Sequence, residues 1–71
     1  MKLSKGTAGK TYTVSEIRLS PDVKRRFEVL GLVHNTQIEI LRKKHAGAMI
    51  VKFRGSRYAV GKEFADGIIV C

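Results

Sequence analysis

Apolar residues fall at every second position in five short stretches of this chain, and turn-forming residues stand between them. In "TQIEILRK" (36–43), Ile38 and Ile40 alternate with polar neighbours, and "MIVKFRGSRYAV" (49–60) alternates on both sides of a glycine. Successive strand side chains point to opposite faces, so such stretches bury one face and wet the other. Short half-buried strands must also manage their unpaired edges, and a small chain does so by curling its sheet into a barrel.

One stretch breaks the rhythm. "SPDVKRRFEVLG" (20–31) places Val23, Phe27 and Leu30 at helical spacing, which predicts a short helix with one apolar stripe. Ser20 suits the N-cap, Pro21 the first helical position, and Asp22 the positive end of the helix. Gly31 stands where a left-handed residue would stop it.

The remaining elements follow from local pattern. In "KTYTVSEIRL" (10–19), Tyr12 and Val14 share one parity while Ile17 and Leu19 share the other. One extra residue near Ser15 or Glu16, a β-bulge, would return both pairs to the core. Asn35 tolerates a positive φ and suits the turn into the second strand. In residues 49–60 a two-residue Gly55-Ser56 loop is expected, with Arg54 opposite Arg57, Phe53 opposite Tyr58 and Val51 opposite Val60. "KEFADG" (62–67) reads as a single helical turn that drops Phe64 and Ala65 inward, and "IIVC" (68–71) as a closing strand. The expected fold is therefore mainly β: a small five-stranded barrel with a short helical insertion between strands 1 and 2.

At 71 residues the chain is expected to form one domain, residues 1–71. A domain this small buries only ~60% of its unfolded surface, which leaves little room for a deep substrate cleft. Fourteen Lys and Arg against six Asp and Glu give a formal charge of +8. Such a balance attracts acidic partners: nucleic acid, an anionic membrane surface or an acidic protein. It also serves simply to keep a surface solvated. The single Cys71 rules out an internal disulfide, and "MKLSKGTAGK" has a basic start without an apolar h-region. Together these point to a cytoplasmic setting.

No catalytic constellation can be assembled. Glu16, Asp22, Glu28, Glu39, Glu63 and Asp66 are dispersed, and His34 and His45 lie in predicted turns. A nucleophile needs a base within reach, and a metal needs clustered ligands; neither pattern is present, so no enzyme activity and no cofactor are expected. A single-strand nucleic-acid reader would stack bases on several exposed aromatics. Of five aromatic residues, Tyr12, Phe27, Phe53 and Phe64 fall on predicted core positions, which makes a nucleic-acid-binding barrel the secondary reading.

Two segments are candidate contact surfaces. In "LGLV" (30–33), one reading makes Leu30 core, Gly31 the helix stop and Leu32 the apolar contact of the cap. The other leaves Leu32 and Val33 exposed as an apolar knob, rimmed by Lys24, Arg25 and Arg26. "LRKKH" (41–45) supplies Arg42, Lys43 and Lys44, either as a solvated loop or as a basic patch that steers encounter. The oligomeric state stays open.

The whole chain resembles the FeoA family, small accessory proteins of bacterial ferrous iron uptake. The features that carry the resemblance are Gly9 before the first strand, Val14 and Ile17 within it, "RRFEVLGL" (25–32), "TQIEIL" (36–41), "VKFRGSRYAV" (51–60), and the closing Ala65, Ile68 and Val70. The family usually has a proline and a glycine where His34 and Asn35 stand. The resemblance implies an SH3-like barrel. It also implies a non-catalytic module that binds the cytoplasmic region of a FeoB-type membrane GTPase, near the inner face of the plasma membrane. The same module occurs in metal-dependent repressors; here no helix-turn-helix is seen, so the free-standing form is expected.

Overall fold

The computed structural model describes residues 1–71. Five antiparallel strands form one sheet in the order β4-β3-β2-β1-β5. They are β1 (Thr11–Ile17), β2 (Gln37–Lys43), β3 (Met49–Phe53), β4 (Ser56–Val60) and β5 (Ile68–Val70). Helix α1 (Pro21–Val29) is inserted between β1 and β2, and the single turn α2 (Lys62–Ala65) precedes β5. The architecture is mainly β and SH3-like, as expected.

β1 makes the fold possible by changing partners along its length. Thr11 to Thr13 pair with β2, and Val14 to Ile17 pair with β5. The register slips between Val14 and Glu16, where the parity conflict in the sequence required an extra residue. Ser15 is that residue, and its hydroxyl donates to the Ile69 carbonyl at 3.1 Å. Val14 and Ile17 are consequently both buried. β2 has a second irregularity, not foreseen from sequence, between Ile40 and Arg42. Leu41 is the extra residue there.

The hairpin differs from expectation by one position. Phe53 faces Ser56, Lys52 faces Arg57 and Val51 faces Tyr58. The two-residue loop is Arg54-Gly55, with φ of 54° and 80°. Two successive positive φ values are what a type I′ turn requires, and its twist matches that of the flanking strands. Phe53 and Tyr58 are therefore diagonal neighbours, with rings stacked at a centroid distance of 4.5 Å.

The sheet is not closed by a ladder, because β4 and β5 are its two unpaired edges. The chain's first residues cover the β5 edge instead. Lys2 forms a bridge to Ile69, and Val70 N–H donates to the Met1 carbonyl at 2.7 Å. This addition buries Leu3 completely within a core that includes Val14, Leu32, Ile38, Ile40, Met49 and Ile68.

Helix α1 begins and ends as its sequence dictates. The Ser20 hydroxyl accepts from Val23 N–H at 3.4 Å, and Pro21 opens the first turn. No residue of α1 is fully buried. Val23 and Phe27 are half-buried, and Phe27 meets Phe64 edge to face at 6.1 Å.

Candidate functional site

The joint between α1 and β2 is held by both backbone and side-chain hydrogen bonds. Gly31 has φ 100°, and its N–H donates to the Glu28 carbonyl at 2.9 Å. Leu32 N–H reaches back to the Phe27 carbonyl at 2.9 Å. This pair of bonds is the Schellman motif, which satisfies carbonyls that a helix end leaves free. The reversal sends Leu32 into the core, where it is 0% exposed. The expectation of Leu32 as an exposed knob is thus corrected, and so is that of Leu30 as core. Leu30 is 43% exposed, Val33 37% and Val29 81%. The physical reason is the left-handed turn: it exchanges the faces that the two leucines would have had in a continuing helix.

Side chains from two other elements hold the corner. Thr36, itself buried, accepts from Val33 N–H at 3.0 Å and donates to the Gly31 carbonyl at 3.1 Å. Arg54 Nε donates to the same carbonyl at 3.2 Å. Asn35, with φ 72°, makes the entry turn as expected, and its N–H donates to the Val14 carbonyl at 2.8 Å. Beside this corner, Val23, Phe27, Leu30 and Phe64 with Arg26 line a shallow, almost wholly apolar depression of about 180 Å³.

The predicted basic residues divide into two groups. Lys24, Arg25 and Arg26 are exposed on α1. Arg42 and Lys44 are exposed as well, but Lys43 is committed to structure: its ammonium donates to the carbonyls of Ser4 and Gly6, both at 3.0 Å. That long-range tie has no local sequence signal.

Acidic groups do not converge. Glu16 pairs with Arg18 at 2.8 Å, and this hydrogen bond holds the Glu16 carboxyl below its ordinary range. Asp66 is held lower still, at about 2, by the Lys62 ammonium and by a short hydrogen bond from the Ser4 hydroxyl. Nowhere do three His, Cys, Asp or Glu side chains approach one another as metal ligands would. No helix is long and apolar enough to cross a membrane.

The chain resembles several solved structures. The FeoA protein of Chlorobium tepidum is 34% identical, with a TM-score of 0.91 over 99% of this chain and 68% of that one. A zinc-complexed FeoA of Stenotrophomonas maltophilia, described as an SH3 domain protein and a candidate ferrous iron transport activating factor, shares the fold. Its TM-score is 0.86 at 22% identity, over 100% of this chain and 89% of that one. A manganese-dependent transcriptional repressor is 26% identical with a TM-score of 0.89, and the match covers 100% of this chain but 35% of the repressor. No curated protein matches the chain. The FeoA domain model matches residues 1–71 from end to end, and on that match the chain belongs to the FeoA family.

Proposed function

We propose that this chain is a non-catalytic accessory module of ferrous iron transport, and that it acts by docking on the cytoplasmic region of a FeoB-type membrane GTPase. Family membership supports the transport role. The observation that carries the docking surface is the rigid corner with apolar residues outside it. Val29, Leu30 and Val33 stand exposed around a turn fixed by the Schellman bonds, Thr36 and Arg54. Large apolar residues in the wet rim of a locked turn are suited to partner contact, because presenting them costs little further ordering. Lys24, Arg25 and Arg26 supply a basic rim that speeds encounter with an acidic surface.

Regulation requires different affinity for two states of the transporter. The test is co-purification with the transporter's cytoplasmic region, with and without guanine nucleotide, using wild type and Leu30→Asp. Binding that differs between nucleotide states and is lost in Leu30→Asp supports the reading. No binding in either state, or unchanged binding by Leu30→Asp, overturns it. Leu32→Asp is unsuitable, since it would place a charge in the core. A nucleic-acid role gains nothing from the aromatic residues: all five are at least half-buried, and Phe27–Phe64 and Phe53–Tyr58 pack on each other.

A further inference from the structure

The outer face of β2, β3 and β4 carries a second surface that shares no residue with the α1 corner. Leu41, Arg42, Lys44, Ile50 and Arg57 surround a depression of about 450 Å³. The β2 bulge builds it. With Leu41 extra, Arg42 is brought opposite Ile50, while Ile40 and Val51 remain paired in the core. Bulges re-aim side chains where a sheet carries a site. Ile50 points away from the core between the buried Met49 and Val51, and Ile50 and Leu41, both half-buried, are the apolar lining of the depression.

Its cations are unspent. The protein has two ion pairs, Arg18–Glu16 and Lys62–Asp66, and neither involves this face. Lys43, Arg18, Lys62 and Arg54 all donate to groups within the chain, whereas Arg42, Lys44, Lys52 and Arg57 donate to none. Lys52 and Arg57 even face each other directly across the β3–β4 ladder. Like charges at paired positions repel; Glu39, opposite Lys52 on β2, offsets part of that repulsion, but Arg42, Lys44 and Arg57 line the depression with no carboxylate among them. Charge complementarity therefore specifies an acidic occupant, and the apolar lining specifies a side chain that can enter a concavity. A lipid surface is anionic but roughly flat at this scale and leaves such a depression unfilled.

We propose that this face binds an acidic, extended segment of a protein partner, with one apolar side chain seated on Leu41 and Ile50 and carboxylates paired with Arg42, Lys44 and Arg57. The segment's carboxylates meet exposed cations, and charge-assisted hydrogen bonds between such groups are stronger than neutral ones.

The test titrates the 15N-labelled full chain with a synthetic peptide of aspartate and glutamate around one central leucine. The comparison probes are the same peptide with serine for leucine, phosphatidylglycerol vesicles and a uridine oligonucleotide. The expected result is saturable binding with the largest amide shifts at Leu41, Ile50 and Arg57. Affinity should fall about tenfold or more on replacing the leucine or in Arg57→Glu, a difference readily resolved by titration. Arg57 is exposed, so that variant folds; Ile50→Ser should weaken the leucine peptide but not the serine peptide. No binding at millimolar peptide, leucine and serine peptides of equal affinity, or stronger binding to vesicles or oligonucleotide would each overturn the proposal. Leu30→Asp should leave peptide binding unchanged, which separates failure here from failure of the transporter reading.

Discussion

Arg54 reaches from the β3–β4 turn to the helix–strand joint, where its Nε donates to the Gly31 carbonyl at 3.2 Å. Its aliphatic stem also occupies the space in which Gly31 would carry a side chain: a Cβ there would lie 3.0 Å from Arg54 Cγ. Arg54 does this from a left-handed backbone conformation, φ 54°, that costs a non-glycine residue about 1 kcal/mol or more. A residue held in unfavourable geometry at a predicted contact surface ties two distant loops together.

Replacing Arg54 separates strain from clamp. Arg54→Ala keeps an unfavourable φ and loses the bond to Gly31, so it should destabilise by about 1 kcal/mol in denaturant unfolding. Arg54→Asn also loses the bond but favours the type I′ turn, so its stability should lie closer to wild type. Amide exchange at Gly31 and Leu32 should quicken in both.

The two leucines of the joint should behave oppositely. Leu32→Ala removes a fully buried side chain and should cost about 2–5 kcal/mol. Leu30→Ala, at an exposed position, should cost less than about 1 kcal/mol. Equal effects in urea titrations would contradict the placement of the chain reversal.

Acid should weaken the fold through Asp66. Its carboxyl is held at about 2, against an ordinary value of 3.8, chiefly by Lys62 and then by Ser4. A depressed native pKa means that ionisation favours folding. That contribution is complete above the unfolded value near 3.8 and is lost as pH falls through about 2. Asp66→Asn should flatten the stability profile across this interval, and the carboxyl resonance of wild type should titrate at its lower end. Since Ser4 belongs to the N-terminal segment, residues 2–5 should loosen as Asp66 protonates.

Two glycines flanking α2 should differ sharply. A Cβ at Gly67 would fall 2.8 Å from the Arg18 carbonyl oxygen and against the Leu19 side chain. Backbone cannot yield there cheaply, so Gly67→Ala should destabilise by about 1–3 kcal/mol. At Gly61 the nearest atoms lie at 3.9 Å and φ is −68°. Gly61→Ala should therefore be neutral or stabilise by a few tenths of a kcal/mol, because alanine restricts the unfolded chain. Thermal melts of the two variants make the comparison.

Much of this molecule is readable from local rules. The Ser15 bulge follows from a clash of parity, and the helix cap from a glycine after an apolar stripe. The hairpin loop lies one residue early because Gly55 suits the second place of a type I′ turn as well as the first of II′, and no propensity assigns Arg54 a positive φ. Leu30 and Leu32 exchange roles because periodicity runs on through a helix end, whereas the chain reverses there. Leu3 and Lys43 act through partners far along the chain: one apolar residue in a polar segment has no period, and a lysine bonded to distant carbonyls leaves no pattern. The basic depression needed the second bulge, which a single misplaced leucine does not announce.

The pairing of Met1 with Val70 has a topological consequence. The first ammonium group donates to the Val70 carbonyl at 2.7 Å, and Val70 N–H returns the bond. Residues 1 and 70 are therefore spatial neighbours, and a few glycines suffice to splice them. Reopening the resulting ring at His45–Gly47, an exposed excursion between β2 and β3, would preserve every strand. The order in which the segments are synthesised is thus separable from the shape they reach, and a permuted version offers a way to graft the module into a host protein at one point on its surface.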